Sequence, residues 1–354
     1  MRNAVVAAPA LAAFIAAIAV AALRRLARVL PADLPNARSL HVEPVPRAGG
    51  YAIWAGFLPA ALLFPLPFPG GLAGWMPAWL ALFAVSAADD RRSVGVGTRL
   101  TVQAAASVWT AAWLAQGAAP AGATVAMAAL VVGGSLCLAW SANLFNFMDG
   151  NDGLAATMGI CGFAAYGIAA MHADGGPGPQ VAGASALAPA SGAAPALFAL
   201  AAAILPFLAV NRPRASMFLG DAGAVSLGFL ASAFGLAGVV AGDWPLWFPP
   251  LVFLPFIADA TLTLLRRATR RERVWEGHRS HYYQRLHQLG AGHAGTLAVY
   301  VTLMLGTGAT ALACLMVAPG AGPWALALWG VVVIMLFAAI DYHWRKNATA
   351  PAPR

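Results

Sequence analysis

Residues 193–240 run AAPALFALAAAILPFLAV, then NRPRASMFLGD, then AGAVSLGFLASAFGLAGVV. Each flanking stretch is apolar and uncharged over roughly the 20 residues a helix needs to cross a hydrocarbon core. Lipid offers no water to an open backbone, so such stretches cross as helices. The short connection between them holds Arg212, Arg214 and Asp221. Two greasy helices joined by a charged loop are the unit that repeats along this chain.

Outward from that unit, the same alternation predicts spans near 4–22, 48–66, 75–88, 100–117, 122–140, 155–172, 193–210, 222–240, 246–265, 296–317 and 322–341. The expectation is an all-α polytopic membrane protein of about eleven transmembrane helices. Composition agrees: 60% of the 354 residues are hydrophobic and 10% charged, against about 25% charged in a soluble domain. The formal charge of +8 does not point to nucleic acid, because of where it lies. Arg24, Arg25, Arg28, Arg38 and Arg47 fall in the first loop, and Arg91, Arg92 and Arg99 in the third. Arg212 and Arg214 fall in the seventh, Arg266 to Arg285 in the ninth, and Arg345, Lys346 and Arg354 in the tail. The alternate loops carry none, and Arg2 alone sits on the other side. Positive charge marks the cytoplasmic side. The N-terminus is therefore expected in the periplasm, the C-terminus in the cytoplasm, and the chain in the inner membrane. Arginines directly after residues 4–22 favour a retained anchor over a cleaved signal peptide. Cys137, Cys161 and Cys314 lie in apolar stretches without metal-ligand spacing. The 266–295 loop, with Trp275, Tyr282 and Tyr283, is expected to form a short interfacial helix, and residues 346–354 a disordered tail.

Of the thirteen acidic residues, Asp174 and Asp243 alone fall in external loops. Four internal groups stand out. Asp89-Asp90 closes the third span ahead of Arg91-Arg92; it is either a solvated helix end paired with the arginines or a carboxylate pair for a hard cation. Asn143, Asn146 and Asp149 step by three, which aligns them on one helix face. Gly150 to Gly153 then bracket Asp152, giving a polar site or an Asx-rich turn. Asp221 opens the eighth span as an N-cap or a metal ligand. Asp259 lies about 10 Å inside the membrane by helical rise and needs a partner, Arg266 or another helix. His278 and His281, three apart on an expected helix face beside Arg279 and Arg285, suit a phosphate or an anionic lipid surface.

Taken in order, these strings resemble one family. They are Asp33-x-Pro35-Asn36-x-Arg38-Ser39-x-His41, Pro44-Val-Pro46-Arg47-x-Gly49-Gly50, Asp89-Asp90, Arg99-x-x-x-Gln103, Asn146-Phe-Met-Asp149-Gly-x-Asp152-Gly, Phe218-Leu-Gly-Asp221-x-Gly, Asp259-Ala-x-x-Thr263 and the His278/His281 loop. The chain resembles the polyprenyl-phosphate N-acetylhexosamine-1-phosphate transferases, which include the enzymes that start O-antigen and common antigen and the phospho-N-acetylmuramoyl-pentapeptide transferase. The resemblance implies one transmembrane catalytic domain over residues 1–345, with its active site on the cytoplasmic face. There undecaprenyl phosphate attacks a UDP-amino sugar, releasing UMP. It implies Mg²⁺, with Mn²⁺ as a substitute, and allows a homodimer. By carry-over, Asp89, Asp90, Asp221, His278 and His281 are catalytic; Asp221, Asp149 and Asp152 hold metal. Asn36, His41, Arg47, Arg91, Arg92, Asn146, Asp149, Asp152 and Arg279 line the substrates.

The muramoyl branch resembles a run of three adjacent histidines where this chain has His278-Arg-Ser-His281. That favours a donor such as UDP-GlcNAc, or a FucNAc or QuiNAc relative, over the muramoyl pentapeptide. A transporter of an anionic substrate is the rival from another class. It would want polar groups near the midplane and access from both sides, whereas here they crowd one side.

Overall fold

A computed structural model describes residues 2–33, 43–64, 66, 68–118, 124–175, 192–273 and 278–348. It is nearly all helical. The first eight helices are α1 (Arg2–Arg25), α2 (Gly49–Leu63), α3 (Leu72–Arg91), α4 (Val96–Ala118), α5 (Thr124–Met148), α6 (Leu154–Gly175), α7 (Ala193–Asn211) and α8 (Asp221–Ala241). They are followed by α9 (Phe248–Val252), α10 (Leu254–Thr269), α11 (Tyr282–Leu286), α12 (Gly292–Val317) and α13 (Gly322–Ala348). Among the described residues, eight helices are long and apolar enough to cross a membrane; Gly49–Leu63 is a shorter apolar helix. The chain is thus a multi-pass membrane protein.

Each segment read from the sequence coincides with a helix, with differences of detail at the ends and breaks; the fifth runs on to Met148 instead of ending near 140. The third is longer than 75–88. The ninth is broken in two at Phe253, because Pro255 has no N–H to give the Leu251 carbonyl. The last helix runs on through Ala348, into the stretch expected to be disordered.

α8 is the hub, packing on α5, α3, α2, α4 and α6, while α1 lies against α7 and α2. Small side chains permit close approach between helices. A Cβ on Gly50 would stand 2.5 Å from the Gly223 backbone nitrogen, so the start of α2 can touch the start of α8 only as glycine. Aromatic side chains fill the wider gaps: Trp54 meets Trp79 edge-on at 5.2 Å, and Trp75 meets Phe234 at 5.5 Å. At the other end of α8, Tyr166 stacks on Trp244 at 5.2 Å and donates to the Ala231 carbonyl.

Two loop segments knit the opposite end. Ala32–Asp33 and Val45–Pro46 form a short antiparallel pair. Arg47 then bridges Phe218 in parallel, with the Phe218 N–H bonded to the Pro46 carbonyl at 2.8 Å. The strand before α2 is thereby fixed against the segment that leads into α8.

Candidate active site

At that knitted end, the C-terminal turns of α3 and α5 meet the N-terminal turns of α4 and α8 and the segment before α11. They enclose a cavity of about 250 Å³ lined by Ser86, Arg99, Gln103, Asn143, Asn146, Asp221, His278, His281 and Gln284, with apolar walls that include Val85, Leu100 and Val225.

The neighbouring acids Asp89 and Asp90 do different work. Asp90 is buried and receives the Asp221 N–H at 2.9 Å on one oxygen and the Ala222 N–H at 3.0 Å on the other. It satisfies two donors that the start of α8 leaves open. Of the two readings of Asp221, N-cap or metal ligand, the N-cap is therefore excluded. Gly220 occupies the cap position at φ +75°, and a Cβ there would stand 2.8 Å from Asp90 Oδ2. Released from capping, the Asp221 carboxylate faces the cavity. Asp89 turns the other way. It accepts the Val94 N–H at 2.7 Å and Arg99 Nη1 at 2.7 Å, and the same guanidinium group lies 3.6 Å from Asp221. Arg99 thus spans two acids.

Across the cavity, the Asn143 amide donates to Gln103 Oε1 at 2.8 Å, and Asn146 is within hydrogen-bonding reach of Asp221. Asp149, just past α5, accepts no hydrogen bond on its carboxylate among the described residues. Burial and the charges of Asp221 and Asp90 push that carboxyl well above the usual range. Asp152 points elsewhere. It accepts the Ala215 N–H at 3.1 Å and lies 3.5 Å from His293, tying the α5–α6 turn to α12. Neither it nor Asp149 lines the cavity, and Asp152 lies close enough to act on Asp149 through its charge. Among the described residues, no three His, Cys, Asp or Glu converge on one point.

His278 and His281 do come together, their rings stacked 4.8 Å apart. The cause is a turn and not the helix face expected for them, since α11 begins after His281. Ser280 donates its backbone N–H and its hydroxyl to His278 Nδ1, at 3.3 and 2.8 Å. Burial, His281 and Arg267 push the His278 imidazole down to about 3, so it is neutral near pH 7. His281 Nδ1 lies 3.2 Å from Asp259. Asp259 has found its partners there and not in Arg266, which binds Asp341. The expected interfacial helix is α11, but Tyr282 and Tyr283 are buried.

Arg47 donates to Asp33 at 2.5 Å, within the field of Asp221 and Asp90. Arg91 lies over the Tyr51 ring, and Arg92 is exposed; neither lines the cavity. Arg279 does not line it either. Asn36 and His41 lie outside the described residues. Arg99, Gln103, Gln284 and Asp259 were not among the expected site residues. Arg99 and Gln103 announced themselves by their four-residue helical spacing beside an acid pair.

The family model for glycosyl transferase family 4 matches residues 72–239. A decaprenyl-phosphate N-acetylglucosaminephosphotransferase of Mycobacterium tuberculosis is 28% identical over 319 residues, covering 80% of this chain and 75% of its own. The protein of that description from Mycolicibacterium smegmatis is 27% identical over 303 residues, 75% and 71% of the two chains. The undecaprenyl-phosphate alpha-N-acetylglucosaminyl 1-phosphate transferase of Escherichia coli K12 is 29% identical over 207 residues, 56% and 52%. The match to the family 4 model spans just under half of the chain. The stretch matched by the family 4 model contains Asp89, Asp90, Arg99, Asn146, Asp149 and Asp221. The other wall of the cavity, with His278, His281 and Gln284, lies beyond it, as does Asp259 behind His281.

Proposed function

We propose that this chain transfers an N-acetylamino-sugar 1-phosphate from a UDP-sugar to undecaprenyl phosphate, opening O-antigen or a similar envelope glycan. A lipid phosphate oxygen attacks the β-phosphorus, the bond to the bridging oxygen breaks, and UMP leaves. The observation that carries the reading is the cavity itself, in which Asp221, Arg99, Asn146 and His281 line one space at the end of the helix bundle. Phosphoryl transfer asks a protein for charge neutralisation and alignment more than for covalent help. A lipid phosphate is already largely ionised near pH 7 and needs little help from a base.

Mg²⁺ fits this donor set. The ion takes one or two carboxylates and completes its shell with water and phosphate, so a third protein ligand is not required. Asp221 faces the cavity, and Asp149 lies in its field with a carboxylate that accepts no hydrogen bond among the described residues. These two would hold the ion, which supplies charge neutralisation to the meeting phosphates. Arg99 lies ready to exchange Asp221 for a phosphate oxygen. Asp89 holds Arg99, and Asp90 holds the α8 terminus. His281 faces the diphosphate or sugar, and the neutral His278 backs its ring.

N-acetylglucosamine, named in the relatives above, is the first donor to try. The His278-Arg-Ser-His281 sequence argues against the muramoyl pentapeptide. We further propose eleven crossings in the inner membrane, counting α2, α4 and the α9–α10 pair beside the eight long helices. The purified protein, given UDP-GlcNAc, undecaprenyl phosphate and Mg²⁺, is expected to release UMP. Failure with a full panel of UDP-amino sugars would sink the enzyme reading and leave the transporter.

A further inference from the structure

Asp259 is fully buried in α10 and receives five donors on two oxygens. They are the backbone N–H groups of Tyr282 and Tyr283, each at 2.9 Å, the Tyr300 hydroxyl at 2.5 Å, the Thr263 hydroxyl at 3.1 Å, and His281 Nδ1 at 3.2 Å. So many donors demand an ionised carboxylate that only accepts. A buried charge is costly, and apolar residues of similar volume commonly replace such groups without loss of stability. Stability alone therefore gives weak reason for an acid at this position.

The geometry around His281 gives a stronger one. The ring is buried and stacked, with Phe147 at 5.9 Å, Tyr283 at 5.8 Å and His278 at 4.8 Å. Stacking fixes the ring plane but leaves open which nitrogen carries the proton. The carboxylate decides it, because Nδ1 can bond Asp259 only by donating. The ring's hydrogen bond among the described residues is made by Nδ1, which leaves Nε2 on the far edge, and His281 lines the cavity. The same carboxylate accepts the first two N–H groups of α11, so one side chain both seats the helix and orients the imidazole just ahead of it.

We propose that Asp259 is a positioning residue for the transfer reaction: it locks His281 in the Nδ1–H form and presents Nε2 to the cavity, where the lone pair accepts from a sugar hydroxyl or takes a proton and then donates to a phosphate oxygen. In the second case, the carboxylate behind the ring stabilises the imidazolium that forms. This rests on the functional reading above, which makes the cavity the site of phosphoryl transfer.

The tautomer can be read without substrate, by NMR of the full-length protein carrying ¹⁵N-histidine. The His281 signals are assigned by their loss in His281→Gln. A protonated Nδ1 and bare Nε2 are expected in the wild type; a bare Nδ1 with protonated Nε2 overturns the proposal. In turnover, Asp259→Asn is expected to lower kcat about 10- to 100-fold, the usual effect of removing a partner that orients a ligating or reacting histidine. In the His281→Gln background, the same change should cost less than about 3-fold. Equal losses in both backgrounds would reduce Asp259 to a structural role and overturn the proposal. Tyr300→Phe removes a donor from the carboxylate but leaves the Asp259–His281 bond. A loss as large as that of Asp259→Asn would likewise assign the effect to packing. If Asp259→Asn does not fold, the wild-type tautomer still decides. A wild type that releases no UMP would sink the functional reading, while the NMR arm continues to judge the Asp259–His281 arrangement.

Discussion

Asp89 and Asp90 are the same residue type at adjacent positions, yet one holds an arginine and the other a helix terminus. The difference predicts different failures. Asp90→Ala strips an acceptor from two N–H groups of α8 and is expected to cost about 1–2 kcal/mol, as for other lost caps, visible as a lower unfolding temperature. Asp221→Asn should abolish UMP release at an unchanged unfolding temperature. Retained turnover in Asp221→Asn would remove that residue from the metal site. His278 gives a pH prediction. Its imidazole is held near 3 in the folded protein against 6.5 unfolded. Between those values the unfolded chain binds more protons, so the contribution favours folding above about pH 6.5 and is lost as pH falls toward 3. Melting of the wild type is expected to worsen over that window, and His278→Gln should flatten the trend. Identical profiles for the two proteins would contradict the assignment.

At the scale of the element, α11 is five residues long and too short to hold itself, since a helical nucleus is costly. It is pinned from two sides. Asp259 takes its N-terminal donors. On the other side, Asp341 of α13 binds Arg266 and Arg285, while Tyr282 stacks on Phe337 at 3.9 Å and receives Arg266 on its hydroxyl. Asp341→Ala leaves two arginines facing each other. It is expected to raise amide exchange at Tyr282–Leu286 and lower turnover, without changing exchange in α8. Unchanged exchange at α11 would show that the Asp259 side suffices. The helical elements were legible because charge-free runs of membrane length have few alternatives. The break at Phe253 was not foreseen, although Pro255 is its cause; a proline in an apolar run can kink a helix as readily as end it.

For the whole molecule, the arginine distribution predicts an external N-terminus and a cytoplasmic C-terminus. Reporter fusions can check this: a cytoplasm-dependent fluorophore after the last residue should light, and one placed ahead of α1 should stay dark. The reverse pattern would put the cavity on the wrong side for a soluble UDP-sugar. The sequence by itself determined the helices, the one-sided charge and the set of polar strings, because hydropathy and charge are local properties. It could not say which of those strings share one space. Most of these helices are apolar nearly all round, so their periodicity does not mark an inward face. Tertiary packing decided that Asp90 meets the start of α8 across 131 positions of sequence, that Asp152 turns to His293, and that Asp221 is left facing the cavity. The partner of a buried carboxylate is set by which helices touch and at what rotation, and those are properties of the assembled bundle.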